Sequence, residues 1–204
     1  TQLLSGLNIT AQAKVRKVNV RHGFTGLRMR KPLTTAVKMY LASKTYRNGN
    51  FMNYAEIKNV DIANGPGVRI SLFVSGCPHH CKGCFNEITW DFNYGKPYTQ
   101  DTINYILELL KPDYIRGITF LGGEPMAPAN QYEVLNTMHQ IKEHFPSKDI
   151  WLYTGYLFDN DIMEKMSNTL PYTKELVSYI DVLVDGEFNI LLSSVCMRSA
   201  AIFF

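Results

Sequence analysis

Apolar positions along the middle of the chain change period several times, and each change marks an element. Val68–Ser75 (VRISLFVS) is β-branched and aromatic and follows the turn-former Asn64-Gly-Pro-Gly67, which predicts a buried strand. Ile103, Ile106, Leu107 and Leu110 recur at helical spacing behind a capping residue, Thr99, and Pro112 ends the run. Gly117–Leu121 (GITFL) predicts a second strand. Val134, Leu135, Met138, Ile141 and Phe145 predict a second helix, closed by Pro146. Asp149–Thr154 (DIWLYT) predicts a third strand, Asp159–Met166 a helix, and Asp181–Val184 (DVLV) a fourth strand. The methionine and aromatic stripes on these helices read as core.

Strands alternating with helices imply parallel βα units and an α/β fold, a barrel or part of one. In such folds chemistry collects at the carboxyl ends of the strands. The unusual residues of this chain obey that rule. CPHHCKGC (77–84) follows the first strand and Gly122-Gly-Glu-Pro125 the second; Thr154-Gly-Tyr156 follows the third and Asp185-Gly186 the fourth.

Composition narrows the class. The chain has 204 residues, 46% apolar and 19% charged, which suits a soluble globular protein with one domain of ordinary size. No run approaches the ~18 apolar residues of a membrane span, and no signal peptide is visible. The net charge of +3 hides an asymmetry. Residues 1–51 hold ten Lys or Arg and no acid, whereas 52–204 sum to 11 − 18 = −7. The break falls at Met52. A basic, acid-free leader has the composition of a nucleic-acid-binding arm or of a transit peptide. Without a sustained period, residues 1–51 are expected to be a poorly ordered extension or sequence upstream of a start at Met52. No nucleic-acid partner is expected from the overall pI. Residues 190–204 form an apolar tail whose lone Cys196 reads as filler or a free thiol.

The remaining cysteines, Cys77, Cys81 and Cys84, lie too close together for a useful disulfide framework. A reducing, cytoplasmic setting with thiolates as metal ligands fits them better. A tetrahedral zinc site could add His79 or His80, but structural zinc usually draws ligand pairs from separated turns. An iron–sulfur cubane suits a single wrapped loop of soft ligands, and three thiols leave one iron without a protein ligand.

The spacing C-x3-C-x2-C after a first strand, followed by Gly122-Gly-Glu-Pro125, resembles the radical S-adenosylmethionine (SAM) family. The resemblance implies a partial (β/α) barrel with its active site at the carboxyl ends of the parallel strands, occupying residues 52–189. It implies that Cys77, Cys81 and Cys84 hold a [4Fe-4S] cluster whose fourth iron is chelated by SAM. Reductive cleavage of SAM would then yield a radical that abstracts hydrogen. Gly83, Cys84 and Phe85 are expected beside the adenine, and Gly123 and Glu124 beside the methionine moiety. His79 is the family's loop histidine, read either as functional or as a hydrogen bond that shapes the loop. His80 is expected at the surface, and Asp185 is a candidate for an ion or the substrate loop as well as an ordinary turn residue.

Gly83 before the last cysteine, Phe85-Asn86 after it, WLYTGY (151–156) and DVLVDGEF (181–188) are similar to one group within that family. Its members install a glycyl radical on the large subunit of anaerobic ribonucleoside-triphosphate reductase, with electrons from a flavodoxin-like donor. Two other readings stand beside it: an activase of another glycyl radical enzyme such as pyruvate formate-lyase, and a non-catalytic zinc-binding module.

Overall fold

The computed structural model describes residues 14–17 and 52–188. Expectations for the rest of the basic extension, and for the tail with Cys196, lie outside the described residues.

The four expected strands are present as β3 (Val68–Val74), β5 (Ile115–Gly122), β6 (Asp149–Thr154) and β7 (Val182–Asp185). They run parallel and lie side by side in chain order. Three antiparallel strands extend the sheet. β2 (Asn53–Asp61) pairs with β3, β4 (Lys96–Pro97) pairs with β2, and β1 (Lys14–Lys17) pairs with β7. The order across this mixed sheet is β1-β7-β6-β5-β3-β2-β4.

None of these three strands is announced by a hydrophobic period. β2 slips register twice against β3 and is largely half-exposed, so its alternation is broken. β1 lies inside the extension expected to be poorly ordered, yet Lys14 stands opposite Asp185 and Lys17 opposite Val182. Edge pairing needs only backbone N–H and C=O groups, which almost any residue supplies.

Helix α1 (Gln100–Leu110) starts at Thr99, where a reciprocal capping box with Thr102 meets the unpaired amides of the first turn. Helix α2 (Gln131–His144) ends at Phe145. The helix expected at 159–166 is present as Phe158–Met166 but is π-wound: the Ile162 N–H reaches back to Leu157 O at 3.1 Å. A short helix, α3 (Thr173–Tyr179), was not expected, being too brief to establish a period.

The two faces of the parallel strands differ in character. Ile70, Leu72, Val74, Ile118, Phe120, Ile150, Leu152 and Leu183 pack on the helices in one apolar core, together with Ile106, Leu135 and Leu176. The alternate positions Arg69, Ser71, Thr119 and Trp151 form the other, more polar face. No helix among the described residues is long and apolar enough to cross a membrane.

Candidate functional site

The parallel strands bring the four chemistry-bearing segments to one edge of the sheet, since all four run in the same direction and end there. The Cys77–Cys84 loop is closed at its stem. Gly76 N donates to Thr89 O at 2.8 Å and Cys77 N to Trp90 O at 3.1 Å. Gly76 has φ +90°, and a Cβ there would lie 2.1 Å from the Phe92 ring. Within the loop, His80 (φ +53°) and Gly83 (φ +75°) take left-handed conformations that turn the chain back on itself. Glycine before Cys84 thus has a local cause, since an aromatic residue would be strained at that φ.

The three thiols are unpaired with one another. Cys77 is buried, and its pKa is pushed up to about 11 by burial, with the Glu124 and Cys81 charges adding to the effect. Burial, then the Glu187 and Cys84 charges, raises that of Cys81. The backbone near His79 and His80 eases this rise at Cys77 and that near Phe188 eases it at Cys81, while Cys84 Sγ accepts from Asn86 N at 3.3 Å. Donors directed at sulfur stabilise the thiolate form. A buried thiol beside a carboxylate needs a strong cationic centre before it gives up its proton.

The donor set therefore fits a polynuclear iron centre. Among the described residues no three His, Cys, Asp or Glu side chains converge closely enough to hold a single metal ion.

Behind the loop stands Glu124, 1% exposed. Its Oε1 accepts from Met126 N and Thr154 Oγ1, and its Oε2 from Gly155 N and His79 Nε2, all at 2.8 Å. Its hydrogen bond to Glu124 is the main cause of a raised His79 pKa, which burial opposes. Four donors thus face a side chain expected to meet a ligand, and all four belong to the protein. Gly123 makes its own close approach: a Cβ there would lie 2.7 Å from Gly76 O and 3.0 Å from Val74 O. Its N–H donates to Val74 O, and that of Glu124 to Gly76 O.

Asn130, at the start of α2, completes the collar. Its Nδ2 donates to Ser75 O at 3.0 Å and to Glu124 O at 2.9 Å, tying the ends of β3 and β5. Asn130 carried no motif, and nothing in the sequence singled it out.

The remaining expected residues are placed as follows. Phe85 is 68% exposed, with its ring edge on Phe188 at 5.1 Å. His80 is exposed and stacks on Trp90. Asp185 is buried at the end of β7, where its Oδ2 accepts from Phe158 N at 2.9 Å and secures the π-wound helix.

Residues 63–197 match the 4Fe-4S single cluster domain family. The chain is 45% identical over 139 residues to the anaerobic ribonucleoside-triphosphate reductase-activating protein of Vibrio cholerae, covering 67% of this chain and 84% of that one. To the protein of the same name from Enterobacteria phage T4 it is 42% identical over 138 residues, 68% of this chain and 82% of the relative. To that of Escherichia coli K12 it is 42% identical over 139 residues, 67% and 85%.

Proposed function

The chain belongs to the 4Fe-4S single cluster domain family and, by likeness over most of their length, to the anaerobic ribonucleoside-triphosphate reductase-activating proteins, and on that premise we propose that it activates such a reductase by generating a glycyl radical on its large subunit. The enzyme class is radical SAM oxidoreductase, with a core spanning residues 52–189. The observation that carries this reading is the sulfur environment: three unpaired thiols on one loop at the end of β3, with the Asn86 N–H turned toward Cys84.

Cys77, Cys81 and Cys84 would hold a [4Fe-4S] cluster, leaving the fourth iron to SAM. Bound together, the two cofactors would supply the one-electron cleavage of the sulfonium and the hydrogen abstraction from the partner's glycine. This chain's residues bind and orient. The Asn86 N–H on the Cys84 sulfur favours the ligating, deprotonated form. Gly122, with φ +99°, and Gly123 bring main chain close to the site, where carbonyls suit an ammonium group. With its side chain satisfied internally, Glu124 contributes there through backbone and through the position it gives its neighbours. Gly83 and Phe85 flank the adenine side.

The parallel strands follow one another in chain order with an apolar face under the helices, which supports a partial (β/α) barrel whose lumen is the polar face. A cytoplasmic location and a flavodoxin-like electron donor complete the proposal, with no membrane or nucleic-acid partner.

Anaerobic reconstitution tests it. The expected product is brown, holds about four irons per chain as a single cubane requires, and cleaves SAM on reduction. It raises a glycyl EPR doublet on the anaerobic reductase and none on pyruvate formate-lyase. Colourless protein with one tightly held zinc, or a doublet on pyruvate formate-lyase alone, overturns the reading.

A further inference from the structure

We propose that His79 is a positioning residue, whose ring clamps the Cys77–Cys81 segment onto the ends of β5 and β6 and so sets where the first two sulfurs stand relative to the third. The inference rests on the cluster assignment above and concerns how that site is held.

Between the first and last cysteine, Pro78, His80 and Lys82 are exposed, whereas His79 turns inward. Its ring meets three partners on two other strand ends. Nε2 donates to Glu124 Oε2 at 2.8 Å. The edge of the Tyr156 ring lies against it at 4.4 Å between centroids. Gly155 forms the third wall: a Cβ there would stand 2.6 Å from His79 Cδ2 and 2.8 Å from Nε2. Gly155 is not among the residues with positive φ, so its backbone does not call for glycine. The ring of His79 does.

Glu124 keeps three other donors, from Met126, Thr154 and Gly155, when His79 is removed. The carboxylate stays seated and the fold survives, so what His79→Ala loses is the tether on the loop. Outer-shell groups of this kind typically change metal-site affinity or activity by about tenfold or more.

The test uses the full chain as wild type, His79→Ala, His79→Gln, Gly155→Ala and the double variant His79→Ala/Gly155→Ala. In metal-free protein, amide hydrogen exchange across residues 78–82 is expected to accelerate about tenfold in His79→Ala and to return toward wild type in His79→Gln, whose amide still donates to Glu124. In reconstituted protein the reduced cluster's EPR spectrum is expected to shift, and SAM affinity to fall about tenfold, again with rescue by Gln. Gly155→Ala should reproduce the loss, and the double variant should lose no more than either single one. Exchange, spectrum and affinity within about twofold of wild type in His79→Ala overturn the proposal, as do losses that multiply independently in the double variant. Wild-type protein that takes up no cluster ends the reading the proposal rests on; a loaded wild type with an indifferent His79→Ala ends the proposal alone.

Discussion

Cys77 shows how a single side chain carries two demands. Burial and the nearby Glu124 charge keep its thiol protonated, with a pKa of about 11, and under the proposed ligation a metal centre would have to replace that proton. Metal-free protein at pH 8 should therefore hold about 100-fold less thiolate at Cys77 than a thiol at the ordinary 9.0, since two pH units separate them. Alkylation by iodoacetamide, followed site by site by mass spectrometry, is expected to be slowest at Cys77. It should accelerate as pH rises toward 11, the direction in which a raised pKa is overcome. Labelling at the rate of a free peptide thiol would contradict the buried setting. The motif made all three cysteines visible in the sequence, but spacing alone could not tell that Cys77 differs from its neighbours.

Among the elements, the β2–β3 connection is the clearest case of a turn made by its own side chains. Asp61 accepts from Ala63 N at 2.8 Å and from Asn64 Nδ2 at 2.6 Å. Burial alone would raise its pKa, but the nearby Ser71 hydroxyl and the hydrogen bonds from Ala63 and Asn64 together lower it below 3.8. A depressed carboxylate contributes stability above its unfolded-state pKa and loses it as pH falls through the folded value. The melting temperature of Asp61→Asn is thus expected below that of wild type at pH 6, with the gap closing below about pH 4. A gap independent of pH would show that the charge of Asp61 plays no part. Asn64-Gly-Pro-Gly67 reads as a turn from sequence; Asp61 lies outside that signal, although its partners Ala63 and Asn64 stand only two and three residues on. The helix after β6 shows the same limit. Its place follows from the spacing of Ile162 and Met166, but its π winding does not, since Leu157 O accepts from both Asp161 N and Ile162 N.

Across the whole molecule, the sheet separates the end that carries the cysteine loop from the end that carries Arg69. Arg69 is fully buried near the amino ends of the strands, away from the cysteine loop. It donates to Thr119 Oγ1 at 2.9 Å, Ile118 O at 3.0 Å and Pro66 O at 3.3 Å, lies against Asp149 and packs over the Trp151 ring. One side chain thereby joins the turn, β3, β5 and β6. Asp149 keeps Arg116 as a second partner at 2.9 Å, so removing Arg69 does not strand that charge. Arg69→Met is expected to cost about 2–3 kcal/mol, chiefly through buried carbonyls left without donors. Urea denaturation of the metal-free protein measures it, and iron uptake by the folded fraction should be unchanged. Wild-type stability in the variant would show that this end of the sheet does not depend on the guanidinium.

The linear order of residues was enough to place the candidate segments at strand ends: three thiols after a β-branched run, Gly122-Gly-Glu-Pro125 after the next strand, Thr154-Gly-Tyr156 and Asp185-Gly186 after the last two. These signals are local. They depend on covalent spacing and on side-chain period, which persist whatever the rest of the chain does. The partnerships were settled by folding. His79 and Glu124 are 45 residues apart, and Thr154 reaches Glu124 across 30. Asn130 ties two strand ends with no motif to mark it, and β1 pairs with β7 across most of the chain's length. Such contacts follow from which strand ends stand side by side, and separation along the chain carries no record of that.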